Sequence, residues 1–261
     1  MFYLTDTGYR YPISRNTYFP KLLELARQPI GFNKASQVYL DNGAELMRGH
    51  WREIFSDQHT PGPSAHDREL HVEIGCNAGH VIVELAKRNP DKLYIGIECK
   101  HKAVYRCAQK AAKSGLRNIA FIRGNAFRIK HIFAEAEVDS LSIFFPDPWP
   151  RRSQRMNRLI SARWLDQVGE LLKPSGMLHI KTDHADYFDW IEKEFKKSYL
   201  ENRAWVNAER STDLYANHPS PQSLDIPDVT LFEKLFIAEG KPIFNLNVIL
   251  KSAGTDFTAM P

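Results

Sequence analysis

His71-Val72-Glu73-Ile74-Gly75-Cys76-Asn77-Ala78-Gly79 reads as a short apolar strand that runs into a turn of small residues. Helical spacing follows over 81–89, and Pro90 stops it. The same alternation continues. Leu93-Tyr94-Ile95-Gly96-Ile97-Glu98 is a second strand, and 101–114 a helix with Gly115 where a left-handed C-terminal residue is wanted. Further strands are expected at 119–122, 140–145, 177–181 and 243–250, with helices at 161–172 and 185–197. Strands separated by single helices imply right-handed β-α-β units, hence an α/β, doubly wound and mainly parallel sheet. Such sheets take their ligands beyond the carboxyl ends of the strands. The chemistry is therefore expected just after Gly75, Glu98, Gly124, Phe145 and Thr182.

The remainder of the 261 residues fits one domain with an extension. Residues 1–50 are rich in aromatics, hold one amphipathic stretch near 19–26, and show no strand–helix alternation. They read as an amino-terminal arm of unassigned role, with residues 51–261 as the main domain. Thr60-Pro61-Gly62-Pro63-Ser64 has the composition of a loop. Hydrophobic content of 43% with 25% charged residues is ordinary for a soluble protein. No apolar run approaches the roughly 20 residues a bilayer requires, and the start of the chain lacks a signal-peptide pattern. Cys76, Cys99 and Cys107 form no C-x-x-C pair, which argues against a disulfide framework and a zinc site and for a reduced, cytoplasmic protein. The net charge of +4 permits nucleic-acid binding without requiring it.

At the first strand end, the small residues let a ligand approach the backbone, and the helix amino terminus offers free N–H groups. The spacing is G-x-x-x-G rather than the dinucleotide fingerprint G-x-G-x-x-G. Glu98 closes the second strand, where an acid can accept from both ribose hydroxyls or simply be a solvated strand-end carboxylate. Asn125, with Ala126 after it, closes the third; its amide can pair with an adenine edge or form a turn. Together they suggest a nucleoside cofactor, with NAD and S-adenosylmethionine both open at this point.

Phe144-Phe145-Pro146-Asp147-Pro148-Trp149 ends the next strand. Two prolines leave Asp147 a stiff backbone, and with Trp149 they make a partly apolar wall suited to a planar base. Four arginines follow within eight residues, Arg151, Arg152, Arg155 and Arg158, and arginine's fork of donors suits phosphate. Such a run can equally be a solvated face. Lys181-Thr182-Asp183 closes the fifth strand, with Asp183 placed to accept from a guanine edge or to cap the following helix. No Ser-His-Asp or Cys-His set is present.

With these segments, and with Trp51 to Phe55, Tyr187, Trp190, Thr230-Leu231-Phe232-Glu233 and Gly240-Lys241-Pro242-Ile243, the chain resembles the bacterial tRNA (guanine-N7-)-methyltransferase family. The resemblance spans roughly residues 50–250. It implies a class I methyltransferase fold, Rossmann-like, with a sheet of about seven strands. It implies that Glu73, Gly75, Glu98, Asn125, Ala126 and Asp147 line an S-adenosylmethionine pocket and that Asp147 is catalytic. Arg151, Asp183, Thr230, Phe232 and Glu233 would hold the target nucleotide, a guanine of the tRNA variable loop methylated at N7. No metal and no membrane are implied, and the chain would be a monomer or homodimer. Three departures stand out: Asn77 where the family often has a second glycine, Asn125 in place of an acid, and a basic run that lacks its histidine. A catalytically weak RNA-binding relative and a base amino-group methyltransferase are the alternatives. The latter usually carries D-P-P-[YFW], whereas here one proline separates Asp147 from Trp149.

Overall fold

The computed structural model describes residues 2–4, 10–12, 17–27, 37–55, 64–198, 203–216 and 229–252. Within them a short antiparallel hairpin joins β1 (Phe2–Leu4) to β2 (Arg10–Pro12), followed by α1 (Phe19–Arg27), β3 (Gln37–Leu40) and α2 (Asp41–Glu45). The alternating region then runs β4 (Leu70–Ile74), α3 (Ile82–Arg88), β5 (Leu93–Glu98), α4 (His101–Lys113), β6 (Ile119–Arg123), α5 (Ile129–Ile132) and β7 (Val138–Phe144). It continues through α6 (Ala162–Leu171), β8 (Leu172–Thr182), α7 (Ala185–Lys197), β9 (Arg203–Ser211), α8 (Leu231–Ala238) and β10 (Phe244–Ser252).

The main sheet has the order β3-β6-β5-β4-β7-β8-β10-β9. Pairings from β3 to β8 are parallel, and β10 adds to β8 and β9 in antiparallel sense. The chain winds outward from β4 to β6 and then returns to place β7 on the other side of β4. That reversal opens a crevice at the carboxyl ends of β4 and β7, where an open α/β sheet binds its ligand.

Both faces of the sheet are covered, which explains why β5 is buried along its whole length and reads as an unbroken apolar run. On one face Ile82, Val83 and Ala86 of α3 and Val104, Cys107 and Ala111 of α4 pack with Tyr94, Ile119 and Phe121. On the other, Trp164, Leu165 and Val168 of α6 and Tyr187, Phe188 and Ile191 of α7 pack on Ile74, Ile143, Ile180 and Val248. Gly115 is left-handed (φ +65°), and Leu116 N–H bonds Ala111 O at 3.2 Å while Gly115 N–H bonds Ala112 O at 3.0 Å. This is the glycine-closed helix end its position calls for. Ser161 caps α6, its hydroxyl accepting from Trp164 N at 3.4 Å.

In the main sheet two strands are additional to the six read along the sequence, so it has eight where the resemblance implied about seven, and the β1–β2 hairpin is additional as well. Strand β3 lies inside the segment read as an arm without strands, and it pairs in parallel with β6 at the sheet edge. At four residues it is too short for a periodic signal, and its burial comes from Leu22 of α1 and Val38 joining the cluster under α4. Among the described residues strand β9 pairs only with β10, at the other edge of the sheet, and its Asn207, Glu209 and Arg210 blur the alternation. The loop expected at 60–64 lies, apart from Ser64, outside the described residues.

Candidate active site

The turn after β4 explains its own sequence. Gly75 sits at φ +73°, and its N–H and that of Cys76 both donate to Ile97 O, at 2.8 and 3.2 Å. No atom lies within 4 Å of where a Gly75 side chain would begin, so this backbone faces open space. Asn77 is also left-handed, at φ +46°. Asn tolerates that conformation better than any residue except Gly, so the missing second glycine leaves the turn's shape intact. Gly79 (φ +67°) has Cys107 Sγ and Val83 Cγ2 3.1 Å from a would-be Cβ, which lets α4 close under the loop. Cys107 Sγ donates to Asn77 O at 2.9 Å. Cys76 lies 4.0 Å away, its thiol pushed up by the Cys107 thiol and by burial, so it stays protonated.

Glu98 is buried at the end of β5. Its Oε2 accepts from Asn77 N at 3.2 Å and its Oε1 from Lys100 N at 2.9 Å. Each carboxylate oxygen accepts more than one hydrogen bond, so Glu98 fixes the loop and retains capacity for a diol. Glu73 is buried on β4, two residues before Gly75, and lines a cavity of about 180 Å³ between α3 and the sheet with Ile82, Leu85, Tyr94 and Ser142. At the end of β6, Asn125 Oδ1 accepts from Phe127 N at 3.0 Å and caps the short helix that follows. The oxygen considered for an adenine amino group is thus engaged in its own turn. The Ala126 carbonyl accepts from Trp164 Nε1 at 3.0 Å, which ties this corner to α6.

Beyond β7 the backbone is strained on both sides of the exposed Asp147: Phe145 has φ +53° and Trp149 φ +41°. Left-handed bulky residues cost about 1–3 kcal/mol each and persist only where surroundings over-determine them. Here Phe145 N–H donates to Lys181 O at 2.8 Å, and Arg158 Nε donates to Pro148 O at 2.8 Å. Asp147 is thereby presented at the mouth of the crevice on a clamped loop.

Asp183, half-buried past β8, does not cap α7; His184 does, its Nδ1 accepting from Tyr187 N at 3.3 Å. Thr230 and Glu233 form a capping box on α8, with Glu233 N donating to Thr230 Oγ1 at 2.9 Å and Thr230 N to Glu233 Oε2 at 3.0 Å. Glu233 is fully buried and also takes Lys181 Nζ at 3.2 Å and Tyr215 OH at 2.5 Å. In this structure it is a strut between α8 and β8, while Phe232 remains 48% exposed. Phe236 meets Phe145 with ring centroids 5.4 Å apart, which brings α8 against the Asp147 loop.

The basic run divides. Arg151 and Arg152 are exposed beside the loop, and Met156 is 94% exposed, whereas Arg158 is buried beneath Tyr187 and Trp190. Sequence reasoning missed the structural tasks of Arg158, Lys181, Tyr215 and Trp164. Only Lys181 carried a signal, a lysine directly after the apolar Ile180 near the end of a buried strand.

This winding, with Glu98, Asn125, Asp147 and Asp183 at successive strand ends around a glycine turn, is that of a class I methyltransferase. A family model described as "Putative methyltransferase" matches residues 67–246. The chain is 33% identical over 199 residues to the tRNA (guanine-N(7)-)-methyltransferase of Bdellovibrio bacteriovorus, across 76% of this chain and 87% of that one. It belongs to the tRNA (guanine-N(7)-)-methyltransferase family. The enzyme of the same description from Christiangramia forsetii is 33% identical over 215 residues, covering 81% of this chain and 88% of its own. Among solved structures, the [4+2]-cyclase SpnF aligns over 90% of this chain and 93% of its own with TM-score 0.50 and 12% identity, a likeness of fold alone.

Proposed function

We propose that this chain transfers a methyl group from S-adenosylmethionine to N7 of a guanine in the variable loop of tRNA. The observation that carries the reading is Asp147, exposed at the sheet's reversal point on a loop clamped from both sides. The residues present fit the cofactor: Gly75 turns an uncovered backbone to the crevice, Glu98 keeps acceptor capacity, and Glu73 lies on β4 two residues before that turn. When bound, the cofactor supplies an electrophilic methyl carbon on a positively charged sulfur.

Guanine N7 has a free lone pair, so no proton need be removed before attack. The new bond is N7 to methyl carbon, the bond broken is carbon to sulfur, and the positive charge passes to the purine. The chain's task is alignment and a suitable field. Alignment of two reactants is worth up to about 7–11 kcal/mol, and a fixed carboxylate near the purine favours the growing charge. Asp147 fills that role as a positioning and charge-stabilising group, with Trp149 half-buried beside it. Asp183, free of capping duty, is the candidate acceptor for the Watson–Crick edge, with Thr230 and Phe232 of the α8 start framing the base, the buried Glu233 holding that helix start in place, and Arg151 meeting phosphate. Asn125 and Ala126 would border the adenine. Residues 1–50 are an extension to the catalytic domain of 51–261, with its β3 paired to the β6 edge and Leu22 of α1 packed beside it. Among the described residues no helix is long and apolar enough to cross a membrane.

The test is nucleoside analysis of tRNA from a strain lacking this methylation, after incubation with the protein and labelled cofactor. Label in 7-methylguanosine supports the reading. Label in an amino-methylated adenosine or cytidine, or no label while S-adenosylhomocysteine still binds, refutes it.

A further inference from the structure

Arg158 sits at the end of a basic run, yet only 2% of it is exposed. Its guanidinium carbon lies 4.8 Å from the Tyr187 ring centroid and 5.1 Å from that of Trp190, both on α7. Among the described residues no carboxylate pairs with it, and its Nη2 is buried without a hydrogen-bond partner. Its Nε donates to the carbonyl of Pro148, the residue between Asp147 and the left-handed Trp149. The following backbone is laced to the same two aromatics: Ile160 N donates to Tyr187 OH at 3.4 Å, and Trp190 Nε1 donates to Ile160 O at 3.0 Å.

A guanidinium without access to solvent cannot reach an RNA phosphate. What it does reach is a backbone carbonyl inside the Asp147 loop, that of Pro148. Proline at 148 has no N–H to donate, and Trp149 is in a conformation its side chain disfavours, so holding this loop in its strained shape takes contacts from outside it. The planar, permanently charged fork suits a slot between two aromatic rings, where lysine's compact ammonium does not.

We infer that Arg158 is a positioning residue for methyl transfer, holding Asp147 over the acceptor base through the Pro148 carbonyl, and is not a ligand for tRNA phosphate. This rests on the methyltransferase reading above. It assigns α7, far along the chain from Asp147, a part in fixing the catalytic loop.

The experiment compares Arg158→Lys with wild type and with Arg151→Ala/Arg152→Ala. Arg158→Lys keeps the charge and most of the stem but loses the fork, which guards against a simple failure to fold. Expected for Arg158→Lys is a kcat about 10- to 100-fold lower, the value of a charge-assisted hydrogen bond. KM for tRNA, its salt dependence, and thermal stabilisation by S-adenosylhomocysteine should stay at wild-type values. Hydrogen exchange should rise about tenfold or more in the peptide covering residues 144–152 and stay unchanged in the peptide covering α6. The exposed pair should behave oppositely, with raised KM and a shallower salt slope at near-normal kcat. A raised KM and reduced salt slope in Arg158→Lys would make it an RNA ligand and overturn the inference, as would wild-type kcat and unchanged exchange. Inactive wild-type protein would instead count against the methyltransferase reading, while the exchange measurement would still decide whether Arg158 holds the loop.

Discussion

The Lys181–Glu233 pair offers a sharp test, because its two partners are 2% and 0% exposed at 3.2 Å. Taking both charges out of water costs several kcal/mol, and only mutual attraction with further hydrogen bonds offsets it. Glu233 has those bonds, from Tyr215 OH at 2.5 Å and Thr230 N at 3.0 Å. Lys181→Met leaves a buried carboxylate without its cation, and Glu233→Gln leaves a buried ammonium without its anion. Each single change should destabilise by about 3–5 kcal/mol. At roughly 2–4 °C per kcal/mol for a chain of this size, that is a Tm lower by about 6–20 °C. The double variant Lys181→Met/Glu233→Gln removes both charges, while the Gln amide can accept from Thr230 N through its oxygen and donate to the Tyr215 hydroxyl through its nitrogen. It should lose much less than the sum of the singles, with a coupling of about 2 kcal/mol or more. Urea midpoints at unchanged slope give all four corners of the cycle. Additive losses, with coupling under about 0.5 kcal/mol, would show that the pair does not act as a unit and that α8 is held to β8 by other means.

Asp147→Ala should lower methyl transfer by about 10²–10³-fold, as removal of a preorganised charged group does, and leave stabilisation by S-adenosylhomocysteine in place. Wild-type-like turnover in that variant would remove Asp147 from the reaction. Asn77→Gly should leave Tm nearly unchanged, whereas Asn77→Val, at φ +46°, should cost about 1–2 kcal/mol; equal Tm values for the two would mean the turn carries no left-handed requirement. His101, packed edge-on against Phe19, has its pKa pulled from 6.5 down to about 4 by burial and by Arg123. The unfolded chain therefore takes up this proton first, so its contribution is whole above about pH 6.5 and is lost as pH falls toward 4. His101→Gln should flatten the Tm–pH curve in that window, and an unchanged curve would refute the assignment.

The elements legible in the sequence were those with strong local causes. Strand β5 announces itself because burial on both faces makes it apolar up to Glu98 at its end, and α4 because Gly115 closes it. The site was legible as positions, since any residue at the carboxyl end of β4, β5, β6, β7 or β8 falls on one rim of the sheet. What each side chain does there was less legible. Asn125 and Asp183 each had a local reading beside the functional one, and the structure shows the local one for Asn125, which caps its own turn, and not for Asp183, which yields the cap to His184. Both outcomes depend on where a neighbouring N–H points, and residue type does not encode that. Strands β3 and β9 were hidden for a different reason, because edge strands need only one good face.

The basic run shows most clearly how tertiary placement decides function. Arg151, Arg152 and Arg158 are alike in sequence and seven positions apart at most. The short helix between them rotates the first two outward and delivers the last beneath Tyr187 and Trp190. A run selected only for RNA affinity would gain nothing from burying one of its cations, since the desolvation cost is unrecovered without a phosphate. The burial makes sense once the Pro148 carbonyl is counted as the ligand. Two strained residues then flank Asp147 because the loop is held from outside, by Lys181 O on one side and Arg158 on the other. A glycine at either position would relax the strain, but it would also free the loop whose rigidity keeps the carboxylate in place.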